Sequence, residues 1–188
     1  MSAPTLTTER LVLRQLRGDD AAALFPVLSD AEVMIWWSSA PHETLAETEI
    51  YVARNAEVGQ GFLCWAITAA DDVALGWVIL IDGKPGVKEI GYILRRDQWG
   101  TGIAREAVAR VIDYGFAELE LRRIFADTDP ENTGSIGLLE RLGFQREGHL
   151  RSEWLTHMGV RDTLIFGLLR GEWQGSGAVR GEHAGAAA

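Results

Sequence analysis

The sequence predicts a mixed α+β (α/β) fold built around one sheet and flanked by helices. Three observations predict it. Apolar runs at Phe62–Thr68, Ala74–Ile81 and Val87–Leu94 are strand-sized, and turn chemistry separates them: Asp71-Asp72 first, then Asp82-Gly83-Lys84-Pro85-Gly86. Short connections of this kind give an antiparallel meander. From Gly102 to Leu119 the apolar positions Ile103, Ala107, Val111 and Tyr114 recur at helical spacing. After that helix the pattern reads strand, helix, strand.

Each element has its own signal. Leu11, Leu13 and Leu16 follow Thr7-Thr8-Glu9-Arg10 as a first strand. Asp19-Asp20 precede Ala21-Ala22-Ala23-Leu24-Phe25 and read as the cap of a first helix. A second helix runs from about Glu43 to Val58 and stops near Gly59 and Gly61. Beyond the 102–119 helix come a short strand at Arg122–Ala126 and a helix at Ser135–Leu142 closed by Gly143. The chain is extended from Phe144, and Thr163–Leu169 is a late strand. Residues 1–173 form one domain. Residues 174–188 hold too little apolar surface to pack and read as a flexible tail.

The chain has 188 residues, 47% hydrophobic and 24% charged, which suits a single self-sufficient core. Eighteen Lys and Arg against 27 Asp and Glu give a net charge of −9. Such a surface disfavours nucleic acid and anionic membranes and tolerates cationic partners such as amines and basic peptides. The longest apolar runs, such as Trp77–Ile81, fall far short of the roughly 20 residues of a membrane span. Met1-Ser2-Ala3-Pro4 has neither the basic nor the apolar region of a signal peptide, so a cytoplasmic protein is expected. Cys64 lies in an apolar run and reads as a small buried hydrophobe. His42, His149, His157 and His183 show no metal-ligand spacing, so no metal is expected.

The most informative segment runs from Ile90 to Ala107, where a strand passes through Trp99-Gly100-Thr101-Gly102 into a helix. A helix start carries unpaired N–H groups and partial positive charge, and glycines let a phosphate approach them. The Walker pattern is absent. A dinucleotide fingerprint would need a glycine where Arg105 stands. About thirty residues later comes Asn132-Thr133-Gly134-Ser135-Ile136-Gly137-Leu138-Leu139-Glu140-Arg141-Leu142-Gly143-Phe144.

Together the two segments resemble the GNAT superfamily of acyl-CoA N-acyltransferases, over roughly Thr8 to Trp173. The first is similar to its pyrophosphate loop and the second to its Asn-x-x-Ser/Ala-x-x-Leu-x-Glu-Lys/Arg-x-Gly-Phe helix. Thr8-Glu9-Arg10-Leu11-Val12-Leu13-Arg14 and Glu153-Trp154-Leu155 resemble the ribosomal-protein N-acetyltransferase (Rim-type) branch. The resemblance implies a mostly antiparallel twisted sheet, splayed where the cofactor lies. It also implies acetyl-CoA as cosubstrate and direct attack of a primary amine on the thioester, with no acyl-enzyme.

Site residues follow from the same likeness. Ile93 and Leu94 sit on the strand that lines the pantetheine. Arg96, Trp99, Gly100, Thr101, Gly102, Ile103 and Ala104 frame the pyrophosphate, and Asn132 contacts CoA or caps its helix. Ser135 is a candidate donor to the departing sulfur, and Glu89 and Glu153 compete as the base. Trp36 and Trp37 form a substrate wall or fill the core. Three departures stand out. Asp97 replaces a Gln or Arg, Thr101 replaces a common basic residue, and Leu139 stands where many members carry a tyrosine acid. That last change leaves open a CoA-binding sensor without turnover. The expected partner is a small-molecule or peptide amine, with an α-amino group favoured, and the chain a monomer or homodimer.

Overall fold

In the computed structural model, which describes residues 2–177, eight strands form one sheet in the order β1-β2-β3-β4-β5-β6-β8-β7. The strands are β1 (Leu6–Thr7), β2 (Val12–Gln15), β3 (Phe62–Thr68), β4 (Ala74–Asp82), β5 (Val87–Leu94), β6 (Arg123–Thr128), β7 (Gln145–Thr156) and β8 (Gly159–Leu169). The helices are α1 (Ala21–Leu28), α2 (Ala31–Met34), α3 (Leu45–Ala56), α4 (Ile103–Ala117) and α5 (Thr133–Arg141). Each neighbouring pair is antiparallel except β5 and β6.

Both faces of the sheet are covered, so the central strands read as continuous apolar runs rather than alternating ones. On one face α4 and α5 pack with Trp65, Leu80, Ile90, Ile124 and Phe166. On the other, α1, α2 and α3 pack with Cys64, Trp77 and Ile93. Alternation along a strand assigns the remaining residues. Ile90, Tyr92 and Leu94 of β5 face α4, while Glu89 and Ile93 face the opposite way. On β6, Ile124 and Ala126 face α4, so Phe125 and Asp127 share the face of Glu89.

The sheet splits between its two parallel strands. β5 pairs with β6 only over Val87–Glu89 and Arg123–Phe125. Beyond that point β5 stays with β4 as far as Leu94, and β6 stays with β8 as far as Thr128. Each is held by its outer neighbour, and a fork opens between them with Glu89 at its apex. The β4 side of the first arm is unusually close. A Cβ at Gly76 would clash with Ile93 O and lie 2.9 Å from Leu94 Cα.

Several elements differ from the sequence reading for identifiable reasons. Asp20 does not cap α1. It ends a short 3-10 turn, and its carboxylate takes two hydrogen bonds from the buried Arg14 (2.8 and 2.7 Å) and one from Arg17 N. α2 is a single turn capped by Asp30 and has no periodic signal. α5 starts two residues earlier than expected because the Asn132 side chain accepts the Ser135 N–H at 3.0 Å. β7 and β8 form a much longer hairpin than the late strand suggested. β7 is the exposed sheet edge, so no buried face writes a period-two pattern there. The tail expected from residue 174 lies, from 178 onward, outside the described residues. Trp173 Nε1 and Ser176 N both donate to Asp113 Oδ1 of α4.

Candidate active site

The loop between β5 and α4 turns through Gly100 (φ 75°) and Gly102 (φ 82°), in the left-handed region that glycine tolerates. Its shape is fixed from inside. Trp99 Nε1 donates to Leu94 O (2.9 Å), and Thr101 Oγ1 donates to Gln98 O (2.7 Å). Gly102, the N-cap residue of α4, has no side chain to cap it; Ile103 N makes only a long hydrogen bond to Thr101 Oγ1 (3.5 Å), and the first amides lie at the positive end of a 15-residue helix. A Cβ at Gly100 would meet nothing within 4 Å, and one at Gly102 only Arg10 Nη2 at 3.5 Å. The concavity is open, donor-rich and suited to a pyrophosphate.

The cations around this loop are arranged differently from the sequence reading. Arg96 is turned to Asp30 (2.8 Å) and Glu32 (3.5 Å), away from a purely phosphate-facing role. Arg95 donates to Asp97 (2.6 Å), which holds that carboxyl below its ordinary range and offsets its charge beside the loop. The guanidinium that reaches into the loop is Arg10. It donates to Thr101 O at 3.2 Å and is anchored by Glu106 at 2.7 Å.

On the α4 and α5 side of the fork, Tyr92 of β5 and Ser135 of α5 meet, Oη to Oγ, at 2.8 Å. Burial pushes the Tyr92 phenol up to about 12, partly offset by this bond. Leu139, where a tyrosine acid was considered, is wholly buried in the core. Its burial is worth about 2 kcal/mol of stability, and it carries no proton.

On the opposite face three carboxylates form a chain, Glu153 acting on Asp127 and Asp127 on Glu89. Glu89, at the apex, is half-buried, and burial together with the charge of Asp127 pushes it up to about 7. Asp127 is itself raised, first by burial and also by the charge of Glu153, while Trp154 Nε1 donates to its Oδ2 at 2.8 Å. Glu153 is exposed and belongs to a wide bulge of β7. Leu150 pairs with Thr163 and Trp154 with Arg161, so residues 151–153 face Asp162 alone. Ser152 adopts φ 55° there, and Asp162 clamps the bulge through Ser152 N and His149 Nε2, both at 2.8 Å. Bulges of this kind re-aim side chains. An open recess of ≈ 620 Å³ lies over the clamp, lined by His149, Leu150, Arg151, Ser152, Glu153 and Asp162. Among the described residues no group of three His, Cys, Asp or Glu is placed to hold a metal ion.

Trp37 stands edge-on to the buried Trp77, 6.0 Å between ring centroids, and Trp36 is half-buried in the same turn. The tip of the β7–β8 hairpin reaches this turn: His157 N donates to Ser38 O and His157 Nδ1 lies 3.2 Å from Trp37 O. Trp37 thus joins core packing to a wall on the carboxylate face. Cys64 is buried and its thiol is pushed well up by that burial, as suits a core residue rather than a nucleophile.

Glu89 and Glu153 therefore come together on one face through Asp127, and Ser135 lies on the other. Sequence reasoning missed Asp127, Trp154, Arg10 and the Tyr92 side chain. Only Asp127 had a usable signal: it shares the parity of Phe125, opposite to the core residues Ile124 and Ala126.

Residues 10–145 match the model of the acetyltransferase (GNAT) domain. An uncharacterised N-acetyltransferase p20 of Bacillus licheniformis is 39% identical over 176 residues, covering 91% of this chain and 99% of that protein. A GNAT-family acetyltransferase of Bacillus anthracis superposes with a TM-score of 0.81 at 26% identity, over 89% of this chain and 99% of the other. The spermidine N-acetyltransferase of Vibrio cholerae, solved with CoA and spermine, gives a TM-score of 0.75 at 25% identity, over 88% and 98%.

Proposed function

This chain belongs to the GNAT acetyltransferase family and is an acetyl-CoA-dependent N-acetyltransferase, and from that premise we propose that it acetylates a primary amine of low pKa by direct attack, with Glu89 as the base. The observation that carries the reading is Glu89 itself. A half-buried carboxyl at the apex of the fork, raised to about 7, is matched to proton transfer near neutral pH. Glu153, set on the clamped bulge, acts through the field it adds to Asp127 and is the second candidate for the proton. CoA lies through the fork. Its pyrophosphate rests on Gly100, Thr101, Gly102, Ile103 and Ala104, with Arg10 supplying charge. Its pantetheine runs along Ile93 and Leu94, and Ser135 faces the sulfur. Backbone donors near the thioester oxygen contribute roughly 10²–10³ in rate in sites of this kind.

The acceptor is a small-molecule or peptide amine that enters on the carboxylate face, beside Trp36 and Trp37. Its pKa decides its cost. An α-amine titrates at about 7.7–8.0 and a lysine side chain at about 10.4, so deprotonation at pH 7 costs about 1 kcal/mol against over 4 kcal/mol. Carboxylates around the amine raise both values and do not remove the difference. An α-amino group, as in the Rim-type branch, is therefore the preferred acceptor.

The experiment is a pair of pH–rate profiles. Glu89→Gln lowers kcat by about 10²–10⁴ and flattens the limb that rises through pH 7, while Glu153→Gln, whose charge acts on Asp127 rather than on Glu89 directly, keeps that limb. A flattened limb in Glu153→Gln alone transfers the role to Glu153. Unchanged profiles in both remove both residues from proton transfer.

A further inference from the structure

We propose that Tyr92 is a positioning residue for the leaving thiol: its hydroxyl donates to Ser135 Oγ across the mouth of the fork and leaves the serine's own proton pointing at the sulfur. The proposal rests on the placement of Ser135 beside the sulfur and adds what makes a serine useful there.

The geometry has three parts. Tyr92 stands on the β5 arm and Ser135 on the helix that follows the β6 arm, so their 2.8 Å bond spans the gap the cofactor occupies. Among the described residues neither hydroxyl has another hydrogen-bond partner. Of the two, the phenol is the more acidic donor and the alkyl hydroxyl the better acceptor. If Ser135 donated instead, the half-buried phenol would be left without an acceptor, an arrangement proteins avoid. Finally, Ser135 cannot drift, because its amide is fixed to Asn132 Oδ1 at 3.0 Å.

The proton balance excludes a larger role. The amine lone pair forms the C–N bond, the C–S bond breaks, and its electron pair stays on sulfur. The amine's proton goes to the carboxylate face. A thiol of the cysteine type titrates near 8.5. Moving a proton to it from Tyr92, at about 12, runs uphill by roughly a thousandfold or more. Neither hydroxyl gives up its proton. Sulfur leaves as a thiolate that accepts a hydrogen bond from Ser135 and takes its proton from water. Bonds to a charged acceptor are the stronger kind.

Tyr92→Phe, which keeps the ring and removes one oxygen, should lower kcat about tenfold and leave the KM for acetyl-CoA within about twofold. The Tyr92→Phe, Ser135→Ala double variant should be no slower than Ser135→Ala alone. The Tyr92→Phe defect should shrink with acetyl thioesters of more acidic thiols, a response that general loosening of the fold would not give. A Tyr92→Phe enzyme with unchanged kcat, or one whose defect persists undiminished in the Ser135→Ala background, overturns the proposal. A silent Ser135→Ala removes the serine reading and Tyr92 with it. A damaged Ser135→Ala beside a silent Tyr92→Phe removes Tyr92 alone.

Discussion

The glycine loop and the carboxylate face work by different means, although β5 contributes to both. On the proposed reading the groups at the loop are backbone amides of one continuous segment, 99–104, shaped by two left-handed glycines and a helix start whose N-cap is a glycine. On the carboxylate face they are side chains from β5, β6 and β7, and the central one, Asp127, connects two that lie 64 residues apart. The loop offers a fixed shape to a ligand whose chemistry does not change. The carboxylates form a coupled set whose charge depends on one another and on whatever amine sits among them. The proposed function puts binding and proton transfer in separate parts of the molecule, and on that reading each should fail separately.

The largest effect expected on this contrast is at the loop. Gly102→Val places a branched side chain at φ 82°, beside Arg10 and over the amides of α4. Acetyl-CoA affinity in calorimetry should fall by about a hundredfold or more, with the circular dichroism of the fold retained. Unchanged affinity would move the pyrophosphate elsewhere and end the division drawn here.

A smaller effect concerns selection by the carboxylate face. Matched peptides with either the α- or the ε-amine blocked, with spermidine alongside, should show kcat/KM at least about tenfold higher for the free α-amine. Equal or faster turnover of the ε-amine or of spermidine would mean that the carboxylates recruit cations more effectively than the higher pKa penalises them.

The smallest effect is thermodynamic. Glu89 ordinarily titrates near 4.5 and in the fold near 7, so the folded state holds its proton more tightly than the unfolded one. Stability from this group is therefore full below about pH 4.5 and is lost as pH rises towards 7. Because the side chain is only half-buried, solvent screening reduces the loss to about 1 kcal/mol. Glu89→Gln should raise Tm at pH 8 by about 2–4 °C and leave it unchanged at pH 4. An equal gain at both pH values would attribute the effect to packing rather than to charge.

The same contrast explains what could be read from the sequence. The shape of the loop was legible because it is local: Gly100, Gly102 and the helical stripe after them are consecutive, and backbone geometry follows from spacing. The central strands were legible because burial on both faces makes them uniformly apolar. The β7–β8 hairpin was not, because an exposed edge strand writes no period. The parity of Asp127 set it off the core face of β6, but only the parallel pairing of β6 with β5 brings it beside Glu89. The Tyr92–Ser135 contact required the fork itself, since it joins residues 43 apart in sequence across two separate arms. Arg96 shows a partner that spacing could not supply. A basic residue beside a glycine loop suggested a phosphate ligand, and tertiary packing pairs it with Asp30.

Gly76 carries a consequence for how such a protein can vary over generations. It lies on β4, paired with Leu94 of β5 and outside the fork. Yet any side chain there must displace the backbone of Ile93 and Leu94, and the free direction is away from β4, into the gap. A single methyl group would narrow the passage without altering one residue that lines it. Whatever side chains stand on the carboxylate face, a substitution at this position would act on the passage through the backbone alone.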